Sequence, residues 1–215
     1  VVDALEAGGA SVDLFTDVKP EPKLSMAGDA IDAIRDGGHE LVVGVGGGSA
    51  LDTAKLASAL ADHDVPIEDV LGMGNVPGAG RSLALVPTTA GTGSEVTHIG
   101  VFSDKDGVKR VVYDEHLFAD LAIVDAELTA SLPAPIAAAT GLDALTHAIE
   151  AYVTTLRNPY SDMLAREAIE IIGENLRPAV LQGDTNDEAR YNMSLAATIA
   201  GQAFVNSGLG AVHAL

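Results

Sequence analysis

The sequence predicts an α/β fold followed by an all-helical region, with the boundary near residue 132. Residues 41–45 and 83–86 are short, continuously apolar runs, typical of strands buried on both faces of a parallel sheet. A helix-like segment at residues 49–61 separates them, so this part of the chain has the pattern of a strand–helix–strand unit. After Pro133 and Pro135 only helical patterns remain.

Turn residues divide the rest of the chain into further elements. In the first part, the patterns predict a helix at residues 1–7, a short strand at 11–15, a helix at 24–34, a hairpin formed by 99–102 and 108–112, and a buried strand at 121–124. In the second part, they predict helices at 136–156, 160–176 and 188–205. We therefore expect two domains, residues 1–132 and residues 133–215.

The net charge is the strongest compositional signal. The 215 residues include 31 acidic and 12 basic side chains, which gives a formal charge of −19. Such a surface repels nucleic acid and anionic membranes, so we expect neither as a partner. Only five of the basic residues are lysines. This composition is similar to that of cytoplasmic proteins from salt-loving organisms, in which high salt screens the repulsion between acidic side chains.

Cysteine content and hydropathy exclude several classes of protein. The chain has no cysteine, which excludes disulfides, cysteine-bound zinc and thiolate chemistry. It has no apolar run of 18 residues, so we expect no membrane-spanning segment. The chain opens without Met, in what reads as a helix already under way, and we expect a sequence trimmed at its start.

A glycine-rich turn joins the strand at 41–45 to the following helix. Glycines at this junction let a phosphate approach the backbone, and the first turn of the helix offers free N–H groups. The turn lacks the Gly-Lys-Ser/Thr of a P-loop and has Ser49 in place of the third glycine of the dinucleotide fingerprint. We expect phosphate binding here, and a plain glycine-rich turn is the alternative.

A loop rich in hydroxyl groups follows the next strand, at residues 87–97. It lies at the carboxyl end of that strand, where open α/β sheets bind ligands. Its hydroxyls suit a ribose, a pyrophosphate or an amide. A solvated threonine-rich turn remains the alternative.

Asp143 and His147 are four residues apart in a segment with helical periodicity, marked by Leu142, Leu145, Ile149 and Val153. This spacing places the carboxylate and the imidazole on one helical face, where both can bind one divalent metal ion. A surface ion pair is the alternative. His213 supplies a second imidazole, which matters here because it can join Asp143 and His147.

Four motifs together resemble the iron-containing (group III) alcohol dehydrogenase family. They are Gly-Gly-Gly-Ser-x-x-Asp-Thr-Ala-Lys at 46–55, Thr-Thr-Ala-Gly-Thr-Gly-Ser-Glu-Val-Thr at 88–97, Gly-x-Asp-Ala-Leu-Thr-His-Ala-Ile-Glu at 141–150 and Gly-Leu-Gly-x-Val-His at 208–213. They stand in the family order and cover nearly the whole chain. The resemblance implies an N-terminal NAD(P)-binding α/β domain and a helical metal-binding domain. It also implies hydride transfer between an alcohol and the nicotinamide, with a metal as Lewis acid.

The resemblance implies roles for individual residues. Gly47, Gly48 and Ser49 hold the pyrophosphate, and Asp52 lies near the nicotinamide ribose. The other implied contacts are Thr88, Thr89, Thr92 and Lys109 toward the cofactor, and Asp143, His147 and His213 as three of four ligands to Fe²⁺ or Zn²⁺. The resemblance places a fourth ligand beyond Leu215 and a first strand before Val1, so we expect a protein cut at both ends.

Several alternatives remain open at this point. A polyol, glycerol-phosphate or maleylacetate reductase-like dehydrogenase has the same fold. A fragment that binds nucleotide without turning over a substrate is a further possibility, since its metal shell would be incomplete. We further expect a homodimer or larger homo-oligomer acting on a small alcohol or aldehyde.

Overall fold

A computed structural model describes residues 1–214. The helices are α1 (Val2–Ala7), α2 (Leu24–Gly37), α3 (Gly48–Leu60), α4 (Ala134–Val153), α5 (Pro159–Leu181) and α6 (Asp187–Val205). The strands are β1 (Leu41–Gly46), β2 (Gly72–Met73), β3 (Ser82–Pro87), β4 (Ile99–Ser103), β5 (Lys109–Tyr113) and β6 (Leu121–Ala122). This arrangement confirms the predicted fold class, an α/β layer followed by helices.

Two small sheets lie around α3. The first sheet is parallel, in the order β1-β3-β6, with Leu41 beside Ser82 in register. The second sheet has the order β2-β5-β4, and β4 and β5 form the predicted antiparallel hairpin. Asp104 closes the hairpin because its Oδ1 accepts hydrogen bonds from the backbone N–H groups of Asp106 and Val108.

Helix α3 is the centre of the first part of the chain. It packs against β1 and β3 on one side and against α2 and β4 on the other, so every residue from Leu51 to Leu60 is buried. A helix that is mostly apolar on all sides suits this position. Its buried polar residues all have hydrogen-bond partners: Asp52, Thr53, Lys55 and Ser58.

Helices α4, α5 and α6 pack together through small residues. Gly141, Ala144 and Ala148 line the buried face of α4, whereas Leu142, Ile149 and Val153 are 53%, 44% and 65% exposed. Most of the apolar stripe that predicts α4 is therefore exposed among the described residues, and only Leu145 packs against the helical core. Alanine permits the close approach of the three helices, and it forms most of their shared core: Ala144, Ala148, Ala165, Ala168, Ala196, Ala197 and Ala200.

Two predicted strands differ from the structure. Residues 11–15 have no strand structure, and no strand pairs with them within residues 1–214. The strand predicted at 121–124 shortens to Leu121–Ala122, and Leu121, Ile123 and Val124 are exposed instead of buried. β6 pairs only with β3 in the described part of the chain, so one edge is open to solvent. In residues 1–214 no helix has the length and apolar character needed to cross a membrane.

Candidate metal centre and cofactor site

Asp143 and His147 lie one turn apart on α4. Asp143 Oδ1 is 3.8 Å from Nε2 of His147, as expected from their i,i+4 spacing. His147 is only 5% exposed, and its ring packs against Phe204 of α6 with 4.5 Å between ring centroids. The helix and this contact fix the imidazole against the carboxylate.

His213 reaches the same point from the turn that follows α6. Its Nε2 lies 3.3 Å from Asp143 Oδ1, and its ring stacks on His147 at 4.3 Å between centroids. One oxygen and two ring nitrogens thus lie within 4.8 Å of one another. The structure therefore brings together the three residues that the sequence analysis assigns to one metal ion.

Burial and local charge set the protonation of these groups. Burial raises the pKa of Asp143, but the hydrogen bond with His213 and the charges of His147, His213 and Lys109 outweigh it, so the pKa lies below its ordinary value. Burial lowers the pKa of His147, which favours the neutral ring. The hydrogen bond to Asp143 raises the pKa of His213, with a further contribution from Glu150.

The donor set suits a divalent first-row metal. A carboxylate and two imidazoles are ligands that Fe²⁺ and Zn²⁺ accept, with bonds of about 2.0–2.2 Å. Two such bonds at common coordination angles separate their donors by roughly 3–4 Å. The oxygen–nitrogen distances of 3.3 Å and 3.8 Å are consistent with this spacing.

Glu150, which the sequence analysis does not single out as a site residue, completes this cluster. It is 4% exposed, and its Oε2 lies 2.5 Å from His213 Nδ1. Its Oε1 accepts the backbone N–H of Val212 at 2.7 Å. Glu150 lies seven residues after Asp143, so the helical period could have indicated it as a third polar residue on the same face.

The glycine-rich turn leaves the N-terminus of α3 open. Gly47 is the N-cap residue, and within residues 1–214 no side chain caps this end of the helix. The first N–H groups of the helix are therefore available to an anion. Gly46 has φ of 151°, a value that side-chain-bearing residues rarely adopt, and its carbonyl accepts the N–H of Thr88.

The hydroxyl-rich loop packs directly on this turn. A methyl group added at Gly48 would lie 2.8 Å from Cγ2 of Thr92, and one added at Gly47 would lie 3.2 Å from Cγ2 of Thr89. Thr92 also accepts the N–H of Ser94. The structure thus brings Gly47, Gly48, Thr89 and Thr92 together, and the glycines provide space for the loop itself.

Asp52 and Lys55 form a buried network beneath this loop. Oδ1 of Asp52 accepts a hydrogen bond from Ser94 at 2.6 Å, and Oδ2 accepts the N–H of Val101. Lys55 is fully buried and donates to Thr97 Oγ1 and the carbonyl of Ile99. Both oxygens of Asp52 thus help to hold the loop in place, and its expected position near a ribose stays a prediction.

Lys109 lies on β5 and is exposed. Its charge contributes to lowering the pKa of Asp143 of α4. Its expected contact with the cofactor stays a prediction.

The same loop also joins the two parts of the chain. Glu95 accepts a hydrogen bond from Thr198 of α6 at 2.8 Å. Gly93, with φ of 61°, lies so close to Gly201 that a methyl group added at Gly93 would be 2.7 Å from the Cα atom of Gly201. The cofactor residues and the metal-ligand candidates are therefore parts of one contiguous structure.

Comparison with known proteins identifies the family. The model of the iron-containing alcohol dehydrogenase family matches residues 1–126, and the model of the C-terminal region of Fe-containing alcohol dehydrogenases matches residues 137–215. The chain belongs to the iron-containing alcohol dehydrogenase family. It is 49% identical to long-chain-alcohol dehydrogenase 1 of Geobacillus thermodenitrificans, over 100% of this chain and 55% of that protein.

Solved structures of the family share the fold. A 1,3-propanediol oxidoreductase matches with a TM-score of 0.95 and 38% identity, over 99% of this chain and 56% of that one. A sulfoacetaldehyde reductase from Bifidobacterium kashiwanohense, solved in complex with NAD⁺, matches with a TM-score of 0.89 and 36% identity, over 99% of this chain and 59% of that one. The chain thus spans a little over half the length of these relatives.

Proposed function

We propose that the whole protein is a metal-dependent alcohol dehydrogenase that transfers a hydride between an alcohol or aldehyde and NAD or NADP. The convergence of Asp143, His147 and His213 is the observation that supports this most strongly. Membership of the iron-containing alcohol dehydrogenase family and the similarity to an NAD⁺ complex support the cofactor.

Asp143, His147 and His213 would hold the metal, either Fe²⁺ or Zn²⁺. When bound, the ion supplies a Lewis acid that polarises the substrate oxygen. The residues themselves contribute an ionised carboxylate and a buried, neutral His147, both suited to ligation. The packing of His147 against Phe204 holds its ring before any ion arrives.

The cofactor would lie along the open N-terminus of α3. Gly47, Gly48 and Ser49 offer backbone N–H groups to the pyrophosphate, and the helix dipole favours its charge. Thr88, Thr89 and Thr92 provide hydroxyls beside this turn, and Lys109 on β5 would add a cation on the cofactor side. We assign Asp52 to the support of this loop, through Ser94.

The chain comprises two domains in this proposal, residues 1–132 and 133–215. The described residues after β6 contain only helices, and α4, α5 and α6 pack mainly on one another.

The formal charge of −19 supports a cytoplasmic protein adapted to high salt. We further propose a homodimer or larger homo-oligomer, on the basis of the family resemblance alone.

The test is reduction of NAD⁺ or NADP⁺ by the whole protein, measured as absorbance of the reduced nicotinamide. Primary alcohols, diols, polyols, glycerol phosphate and sulfonated alcohols are compared, each with metal-free protein and with protein loaded with Fe²⁺ or Zn²⁺. Metal-dependent turnover of a primary alcohol or diol supports the proposal. Turnover only of glycerol phosphate or a sulfonated alcohol assigns another dehydrogenase of this fold, and cofactor binding without turnover assigns a nucleotide-binding protein.

A further inference from the structure

We propose that Glu150 is a positioning residue that fixes His213 for metal binding, by holding one tautomer and one orientation of its ring. This inference rests on the proposed metal site and goes beyond its three ligands. It concerns a residue that would not touch the ion, because both of its carboxylate oxygens are already engaged with the turn that carries His213.

The hydrogen bond from His213 selects the tautomer. A neutral imidazole has one N–H group and one lone pair, on different ring nitrogens. An ionised carboxylate only accepts, so Glu150 requires the proton on Nδ1, which lies 2.5 Å from its Oε2. Without an ion, Nε2 also carries a proton, because it lies 3.3 Å from Asp143 Oδ1, a second acceptor. An ion bound there would replace that proton, while Glu150 keeps the proton on Nδ1. The lone pair would then be on Nε2. That is the nitrogen a shared ion needs.

Glu150 also fixes the backbone that carries this ring. Its Oε1 accepts the N–H of Val212, the residue next to His213. A methyl group added at Gly210 would lie 2.8 Å from the same oxygen, so the turn packs closely on the carboxylate. The turn after α6 is thereby attached to α4.

One face of α4 therefore carries two of the proposed metal ligands and the residue that positions a third. Asp143, His147 and Glu150 are spaced by four and three residues, which places them on one side of the helix. Two of them would bind the ion directly, and the third would place His213. Carboxylates bonded to the second nitrogen of a ligating histidine commonly change metal affinity by about 10–100-fold.

Nitrogen-15 NMR of the His213 ring tests the tautomer without any substitution. The spectrum is recorded on the whole protein, metal-free and loaded with Zn²⁺, which is diamagnetic. We expect a protonated Nδ1 in the Zn²⁺-loaded protein. A protonated Nε2, with the lone pair on Nδ1, would overturn the inference.

Glu150→Gln tests the effect on affinity. A glutamine keeps an acceptor for Val212, but its amide can donate to Nδ1 and so favours the tautomer with the proton on Nε2. In Co²⁺ titrations of the whole protein we expect affinity to fall about 10–100-fold, with a changed visible absorption spectrum. Glu170→Gln, on the exposed side of α5, is the matched control and should titrate like the unsubstituted protein.

The outcomes separate this inference from the proposed function. Equal Co²⁺ affinity and spectra in Glu150→Gln and the unsubstituted protein would overturn the role of Glu150 and leave the metal site standing. An unsubstituted protein that takes up no Co²⁺ would overturn both. If circular dichroism shows that Glu150→Gln does not fold, the tautomer seen by NMR decides.

Discussion

His213 Nε2 lies 3.3 Å from Asp143 Oδ1, although 70 residues separate the two in the chain. The helix fixes Asp143 against His147, whereas His213 arrives from the turn after α6. We expect Asp143→Asn to lower the affinity for Zn²⁺ or Co²⁺ by at least about 100-fold, because the charged ligand is lost. Metal content after dialysis measures this, and Asp29→Asn on the exposed side of α2 is the control. Equal metal retention in both variants would exclude Asp143 as a ligand.

Gly48→Val should weaken the binding of NAD⁺ by about tenfold or more, a loss of about 1.4 kcal/mol. Even the first carbon of its side chain would meet Thr92 at 2.8 Å, which displaces the hydroxyl loop from the turn. Titration of the cofactor by calorimetry provides the measurement. Gly28→Ala in α2 is the control, since its added methyl group meets nothing within 4 Å. Unchanged affinity in Gly48→Val would rule out this cofactor position.

Lys55→Met should lower the free energy of unfolding by about 3–5 kcal/mol, because it leaves Asp52 as a buried charge without its counter-ion. The fully buried Lys55 Nζ lies 3.5 Å from Asp52 Oδ1. The double variant Asp52→Asn/Lys55→Met should lose less than the two single variants combined. Urea denaturation is measured for the unsubstituted protein, Asp52→Asn, Lys55→Met and the double variant. Strictly additive losses of unfolding free energy would show that the pair does not interact.

Asp114 should make stability depend on pH. Burial raises its pKa, but hydrogen bonds from the N–H groups of His116 and Val76 and from the His116 ring bring it below its ordinary value. The folded state thus binds the proton less readily than the unfolded state. The stabilisation is present above the unfolded pKa of about 3.9 and is lost as pH falls through the lower folded value.

Asp114→Asn should accordingly cost about 1–3 kcal/mol at neutral pH and progressively less in acid. Unfolding by urea at several pH values gives the difference between the two proteins. A constant difference across the acid range would contradict this assignment.

High salt should stabilise the protein. With a formal charge of −19, repulsion between acidic side chains opposes folding until ions screen it. We expect a higher melting temperature in molar KCl than in dilute buffer. Glycerol at matched water activity serves as a control for effects that do not depend on charge, and equal melting temperatures in both buffers would exclude the salt adaptation.

Local sequence patterns predict most of the helices and strands. The exceptions depend on contacts between distant parts of the chain. β1, β3, the β4–β5 hairpin and helices α2 to α6 follow from apolar periodicity and turn residues. Residues 11–15 alternate like a strand, yet a strand needs a neighbour to pair with, and local sequence does not supply that information. The exposure of Leu142 and Ile149 has a similar origin, since the choice of the alanine face of α4 depends on the packing of α5 and α6.

In the candidate site, too, local spacing predicts one part and tertiary contacts determine the rest. Helical spacing alone brings Asp143 and His147 together, whereas His213 is assigned only through the family resemblance, because no local pattern reports a contact across 70 residues. Sequence reasoning does not single out Glu150, because one more glutamate carries little information in a chain with 31 acidic residues. The burial of Lys55 does not follow from the sequence, because a lysine in a helix ordinarily reaches solvent and only tertiary packing buries this one.

The division of the donors between a helix and a turn bears on how the protein would inactivate on heating. Asp143 and His147 are held by α4, so they separate only when that helix unfolds. His213 is attached by a short turn and by its contact with Glu150, and such segments open at lower free energies than packed helices. Loss of the third donor would therefore precede global melting, and the temperature at which activity disappears would lie below the temperature at which the helices unfold.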